Sequence, residues 1–368
     1  MASMITFFED KQKLQVQSLA EALYLQTYEL SNFKDYHTIL TGVKQKQQVL
    51  YLGELSEPVG QTRTVSACAM PTGIGTIPTS QKIWTPIQWG EKRGFCADDW
   101  EAYISQYALK LGLDKFDLQD TEIMLVIVDR IAKELNTSHW IKAWFGDLLA
   151  NVYSGSPAGE LSASKYIPFF DTFDGYFKQM TDYIGTSATT ALQKVTIAGN
   201  AETTFATQKA WGITASTTWT GFNKAYDVAV SIDIDTPTFI RQQAGNVAYC
   251  TRLFYNALKM NFVGKGLESM FVNLQNGVQG LSVLGVTYVP IDIWDYIIQN
   301  YLNNGTKYFD PYRIVLTPKD NIQYGTANDG ALEDVRTWFN EDENKTYLQF
   351  MEETDAKISM DNMFILGI

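Results

Sequence analysis

The chain carries two histidines, His37 and His139, and neither stands in a complete catalytic constellation. A metal centre or a serine-type triad usually needs an imidazole with partners at defined spacing. His139 sits in NTSHWI without a partner motif, so it reads as a histidine satisfied by a carbonyl or by solvent, and His37 reads the same way. HExxH and GxSxG are absent. Asp233 and Asp235 lie two apart in AYDVAVSIDID, whose alternation of apolar and acidic residues predicts a half-exposed strand. Two carboxylates on one strand face could hold a metal or hydrolyse a glycoside. A solvated face opposite Val230, Ile232 and Ile234 is the simpler account.

The glycine-rich stretches are equally incomplete. MPTGIGTIP supplies Gly73 and Gly75, but Pro78 stands where a dinucleotide fingerprint needs its third glycine, and proline has no amide to give a phosphate. GKGLES resembles the end of a phosphate loop, yet Lys259 occupies the place of the earlier glycine. NDGALED has the flavour of a calcium loop without its first aspartate or its spacing, and reads as a turn and helix cap. No catalytic residue, metal ligand or cofactor site is therefore assigned. The nine Trp, twenty Tyr and twenty Phe could form a sugar platform, but such residues are more often core or interface anchors.

The elements that would hold these residues can be read in order. Leu14, Val16, Leu19, Leu23 and Leu30 predict an N-terminal helix on an arm. From Leu50 to Gly94 prolines and glycines exclude helix, while Val65, Ile83, Trp84, Ile87 and Trp89 suit strands, which predicts a long hairpin projecting from the body. A lone domain would have no core for Trp84 and Trp89 there, so both are expected to be exposed contact residues. Asp98 and Glu101 form a capping box before the stripe Trp100, Tyr103, Ile104, Tyr107, Leu111. A second helix runs from about Asp117 to Gly146. It is apolar all round between Ile123 and Val128, so it serves as a spine. A further helix is expected from Thr236 and Pro237 past Phe239, Val247 and Leu258, a strand over GLSVLGVTYVPI, a helix over IDIWDYIIQNYLNNG and a strand over YRIVLTPKD. The end is unusual. Leu348 and Phe350, Ile358 and Met360, and Phe364, Leu366 and Ile368 alternate as strands, so the terminus is pinned in a sheet and packed on the spine.

The bulk numbers limit the function classes. A chain of 368 residues with 45% hydrophobic and 19% charged residues is globular and holds about two domains. The net charge of −12, from 41 acidic and 29 basic residues, comes without a dense basic run, which argues against gripping nucleic acid by its phosphates. The start lacks a signal-peptide pattern, and no apolar run approaches the ~20 residues that span a bilayer. Cys68, Cys96 and Cys250 are isolated and fit buried thiols in a reducing compartment.

Taken in order, these parts resemble tailed-bacteriophage major capsid proteins of the Hong Kong 97 type. The stretch NVAYCTRLFYNALKMNFVGKGLESMFVNLQNGVQGLSVLGVTYVPIDIWDYII is similar to the later axial domain of that family. There Tyr255 and Asn256 lie on its helix, and Gly277, Gly280, Gly285 and Trp294–Asp295 follow in family order. FDPYRIVLTPKDNIQYGTA resembles the next segment. EDVRTWFNEDENKTYLQFMEETDAKI and FILGI resemble the closing strands of the peripheral domain, and KIWTPIQWGEKRGFCADDWE resembles the return of the extended loop. The pattern is also similar to capsid proteins of crAss-like and related gut phages. Residues 150–230 match no named segment.

The resemblance implies an α+β Hong Kong 97-like capsid fold with an N-terminal arm at 1–56, an extended loop at 57–97, a peripheral domain with its spine helix at 98–160, an axial domain at 161–334 and closing strands at 335–368. It implies no enzyme and no cofactor, but a subunit that assembles with many copies of itself into the pentamers and hexamers of a head enclosing double-stranded DNA. The expected location is the virion capsid, after synthesis in the host bacterial cytoplasm. Expected partners are portal, scaffolding and possible decoration proteins, with no membrane; either the scaffold is a separate chain, the alternative favoured here, or this is the cleaved mature form. Arg63, Ile83, Trp84, Trp89 and Arg93 are the expected inter-subunit contacts, so Trp84→Ala should spare the fold and weaken assembly. Rival readings are a tail or decoration subunit and a glycan-active enzyme.

Overall fold

Residues Phe364, Ile365 and Leu366, almost at the end of the chain, are each at most 1% exposed, because they sit in the middle of the molecule. The computed structural model describes residues 33–52, 79–96, 134–150, 161–162, 166–186, 190–241, 246–267, 271–273, 279–327, 336–340 and 345–368. The predicted N-terminal helix, the tip of the hairpin at 53–78 with Val65, and the helix predicted after Asp98 lie outside them, as does the Ile123–Val128 part of the spine.

Two sheets organise what is described. A seven-stranded sheet has the order β5-β14-β10-β6-β9-β8-β7. Its strands are β5 (Lys194–Val195), β6 (Asn246–Cys250), β7 (Phe271–Asn273), β8 (Gln279–Val283), β9 (Val286–Pro290), β10 (Ile314–Pro318) and β14 (Ile365–Gly367). A second sheet joins β1 (Thr38–Leu40), β11 (Ile322–Thr326), β13 (Lys345–Ile358) and β12 (Arg336–Asn340) in that order, with β4 (Ile87–Cys96) on the other side of β13. β2 (Gln48–Leu52) and β3 (Thr79–Ile83) form a separate antiparallel pair.

Alternation along the central strands feeds two cores. Successive side chains on a strand point to opposite faces. Ile314 and Leu316 of β10 face one core and Val315 the other; Ile365 of β14 goes one way, Phe364 and Leu366 the other. Every residue of β10 is buried, as a strand covered on both faces must be. The helix at 134–145, α1, with α2 (Tyr176–Ile184) and the later helix Asp292–Tyr301 fills the layer between the two sheets, where Trp144 and Trp294 meet edge to face at 4.5 Å. On the far side of the seven-stranded sheet lie α3 (Lys224–Asp235) and α4 (Arg252–Gly264); Asp292–Tyr301 is hereafter α5. The described end of the spine, α1, thus shares a core with Phe364 and Leu366, as the sequence led us to expect. Gly146, just after α1, permits this packing: a Cβ there would lie 2.3 Å from the carbonyl oxygen of Phe173.

Three expectations are corrected. Residues 225–235 are helical, not a strand. Asn223 caps the helix by accepting from the Tyr226 amide, and Ala225, Val228, Ala229 and Ile232 form the buried stripe. The helix expected from 236 to 258 is instead a single turn (Thr238–Arg241), then β6, then α4. The strand expected over 280–291 is a hairpin, turned at Leu284 and Gly285, whose φ values of 52° and 84° are those of a tight left-handed turn. The helix at 292–301 and the strand at 314–318 form where expected.

Candidate functional site

The corner between β3 and β4 brings together most of the residues expected to touch other subunits. Trp84 is 1% exposed, which corrects the expectation that it lacks a core of its own. Its ring covers the face of the second sheet that points away from the helices, so a Cβ on Gly325 would come within 2.7 Å of it. Its backbone is fixed on both sides: the Trp84 amide donates to the Gln47 carbonyl at 2.9 Å, and the Lys46 amide donates to the Trp84 carbonyl at 2.9 Å. Next to it the Thr85 amide donates to Asp355 Oδ2 at 2.9 Å, and Lys357 Nζ stands 3.1 Å from the same carboxylate. The prolines and glycines around this corner made a free loop plausible; the tertiary fold instead places the indole over a sheet.

Trp89 is half-buried on the opposite face. Its indole N–H donates to Thr354 Oγ1 at 2.8 Å, its ring meets His139 edge to face at 5.4 Å, and Lys142 Nζ lies 4.4 Å over it. Here a buried polar group joins β13 to α1. His139 Nδ1 is 2.8 Å from the Tyr324 hydroxyl, and Nε2 is 3.3 Å from Glu352 Oε2. Burial pushes the Lys142 ammonium down to about 8, against the pull of Glu352 and Glu91. The signal for this cluster was present in the sequence. Glu352 falls in phase with Phe350, Thr354, Ala356 and Ile358, so its position on the core face was legible from period two alone. The cluster's chemistry is that of a buried ion group holding a sheet to a helix.

His37 is a core residue too. It stacks on Phe33 at 3.9 Å, donates from Nδ1 to the Phe33 carbonyl at 2.7 Å and accepts from the Trp144 indole at Nε2 at 2.8 Å. Burial drives its pKa down to about 3, so the ring is neutral and both nitrogens are used. Asp233 and Asp235 are near the end of α3, where a spacing of two turns them to different faces. Asp233 is 3.5 Å from Arg241 instead. Gly264 closes α4 and GKG follows its C-terminus, the negative end of the helix, which is the wrong end for a phosphate. Asp295 caps the other end of α4, accepting from the Arg252 and Leu253 amides at 2.6 and 3.2 Å, and burial raises its pKa to about 6. Among the described residues no group of three or more His, Cys, Asp or Glu could hold a metal, and no helix is long and apolar enough to cross a membrane.

The remaining expected contacts lie on exposed ground. Ile83 is 47% exposed. Arg93 is exposed and paired with Glu91 at 2.9 Å. Arg63 lies outside the described residues. Ile83 ends β3, and Arg93 lies within a long ladder. β13 is 14 residues long and β4 is 10, and they pair from Ile87↔Thr354 out to Cys96↔Lys345, with β12 on the far side of Lys345–Gln349. Ile87 packs on the core between the sheets. Glu91 to Gly94 are exposed. From Lys345 to Gln349 β13 is paired on both edges, by β4 and by β12, as a three-stranded ribbon.

No family profile and no curated protein matches the sequence. Among solved structures, the chain is similar over 94% of its length to 97% of a chain from the satellite phage P4 procapsid including its size determination protein, at 11% identity and a TM-score of 0.49. It is similar over 91% of its length to 89% of a chain from the capsid of a native GTA particle, at 11% identity and a TM-score of 0.47. A third likeness, to the SrpI encapsulin of Synechococcus elongatus, covers 91% of this chain and 85% of that one, at 12% identity and a TM-score of 0.45.

Proposed function

We propose that the chain is a structural subunit of a virion shell, a major capsid protein of the tailed-phage Hong Kong 97 type, and not an enzyme. The observation that carries this reading is the ribbon of β4, β12 and β13. Its backbone ladder runs on through the exposed residues Glu91 to Gly94, a stiff edge open to contact with another copy. Such an edge adds contact area between copies without enlarging the core. Many modest contacts of this kind suffice when closed symmetry repeats them.

The division into arm, extended loop, peripheral domain, axial domain and closing strands at the boundaries given above belongs to this proposal. The pairing of β4 with β13, which joins the loop's return to the closing strands, supports it. The seven-stranded sheet takes six strands from residues 194–318, in line with an axial domain there, and its second strand, β14, from the closing segment. Within the proposal, pentamers and hexamers close a head around double-stranded DNA; portal, scaffolding and decoration proteins are partners; and Ile83, Trp89 and Arg93 are contact residues. Trp84 is not among them, because its ring is already buried. The net charge of −12 suits a container that holds DNA without gripping it.

Electron microscopy of the purified full-length protein tests the reading. Rings of five or six copies, or closed shells, are expected. Particles of a single 41.5 kDa chain at every concentration and salt, with and without a co-expressed scaffold, would overturn it.

A further inference from the structure

Between α2 and the β5–β14 edge of the large sheet lies a cleft of about 670 Å³ that no step of the proposed assembly uses. Its walls are largely apolar, with Trp144, Phe177, Ile184 and Leu366 among them. That volume is within the range of small-ligand sites. One strongly polar group is set into it. Arg313, 5% exposed, stands immediately before β10, and its guanidinium carbon is 5.1 Å from the Phe145 ring and 4.7 Å from the Phe177 ring. Nε donates to the Asp310 carbonyl at 3.1 Å. Among the described residues the two terminal nitrogens donate no hydrogen bond, and Nη2 stands 3.8 Å from Asp310 Oδ2. A nearly buried guanidinium is thus held in orientation by two rings, one carbonyl and a long ion pair to Asp310, while its terminal nitrogens donate no hydrogen bond among the described residues.

We infer that the cleft binds a monocarboxylate carrying an apolar body, with the carboxylate on the Arg313 fork and the body against Trp144, Phe177 and Leu366. The geometry of the fork suits a planar carboxylate taken by two parallel N–H donors. The charges around it select against a dianion. Asp147 and Asp310 line the same cleft as Arg313, Lys178 and Lys194, and Lys178 is already engaged by Asp182 at 2.8 Å. Phosphate would bring a second negative charge beside two carboxylates, whereas a single one balances the guanidinium. The same chemistry could arrive as a free acid or as an acidic side chain flanked by apolar ones on another polypeptide.

Calorimetric titration of the full-length protein with 3-phenylpropanoate tests this, with 3-phenylpropanol and inorganic phosphate as comparators. The acid is expected to bind in the millimolar range, the alcohol at least tenfold more weakly, and phosphate not to compete. Arg313→Lys is expected to weaken the acid at least tenfold. Because a change at a buried arginine could unfold the chain, Thr181→Trp, at an exposed position on the cleft wall, is the second variant and should abolish binding without altering the melting temperature. A capped Phe-Glu-Phe peptide that binds more tightly than the free acid points to a polypeptide source, and the reverse to a free acid. Equal binding of alcohol and acid, displacement by phosphate, unchanged binding in Thr181→Trp, or no heat at tens of millimolar would overturn the inference.

Discussion

The same two strands, β4 and β13, behave differently at their two ends. At the base, Ile87 packs on the core between the sheets, Trp89 lies against His139, and Glu352, Thr354 and Asp355 are at most 4% exposed. At the tip, Glu91 to Gly94 are exposed, and the contacts are of a lighter kind: Lys92 lies 4.0 Å over the Tyr347 ring, and that ring covers Gly94, where a Cβ would come within 2.7 Å of it. Backbone pairing is continuous across both. Hydrogen bonding alone therefore does not set burial: one ladder runs from a base held in the core to residues open to solvent, where side chains are free to meet a partner.

Changes to the body should have large effects on folding, and changes to the tip should leave folding nearly untouched. Deleting Met363–Ile368 removes β14 from between β5 and β10 and takes Phe364 and Leu366 from one core and Ile365 from the other. The full loss of a cooperative melting transition is expected in calorimetry; a native-like melt would contradict the central place of that strand. Trp84→Ala should cost about 3–5 kcal/mol in urea unfolding, as for other large core truncations, whereas Arg93→Ala at the tip should stay within about 0.5 kcal/mol. Equal effects would erase the distinction between base and tip.

Acid should loosen the body through His37. In the fold its pKa is about 3, against an ordinary 6.5. Between these values the unfolded chain takes up a proton that the folded chain refuses, so stability is present above pH 6.5 and falls as pH drops towards 3. Urea midpoints measured across that window should fall steadily, and less steeply in His37→Gln. Asp355→Ala strips acceptors from the Thr85 and Ala356 amides and from Lys357, at a cost of about 1–3 kcal/mol. A small effect on folding belongs to Tyr347→Ala, which uncovers Gly94 and should cost about 0.2–1 kcal/mol while reducing the assembled fraction seen by sedimentation.

Some of this was legible in the residues. Strong apolar runs gave β10 and β14, and the stripe Trp294, Ile297, Ile298 gave α5. Glu352, in phase with a buried face, marked the polar cluster without being recognised as such. Other features were not legible. AYDVAVSIDID satisfies period two and the helical stripe of Ala225, Val228, Ala229 and Ile232 at once, and packing against α4 decides between them. The β8–β9 turn uses Leu284, a residue that seldom takes positive φ, so no local signal announced it. The shelter of Trp84 depends on Gly325, some 240 residues further along the chain, and no local pattern carries that. The Arg313 cleft likewise forms from segments distant in sequence.

The ribbon as a surface between copies is tested most directly by hydrogen–deuterium exchange on assembled and dissociated protein under matched conditions. Slow exchange of β10 and β14 in both states is predicted, with the already paired amides of Gly90–Gly94 and Lys345–Gln349 exchanging more slowly still on assembly. Equal protection of those amides in the isolated chain and in the assembly would contradict it.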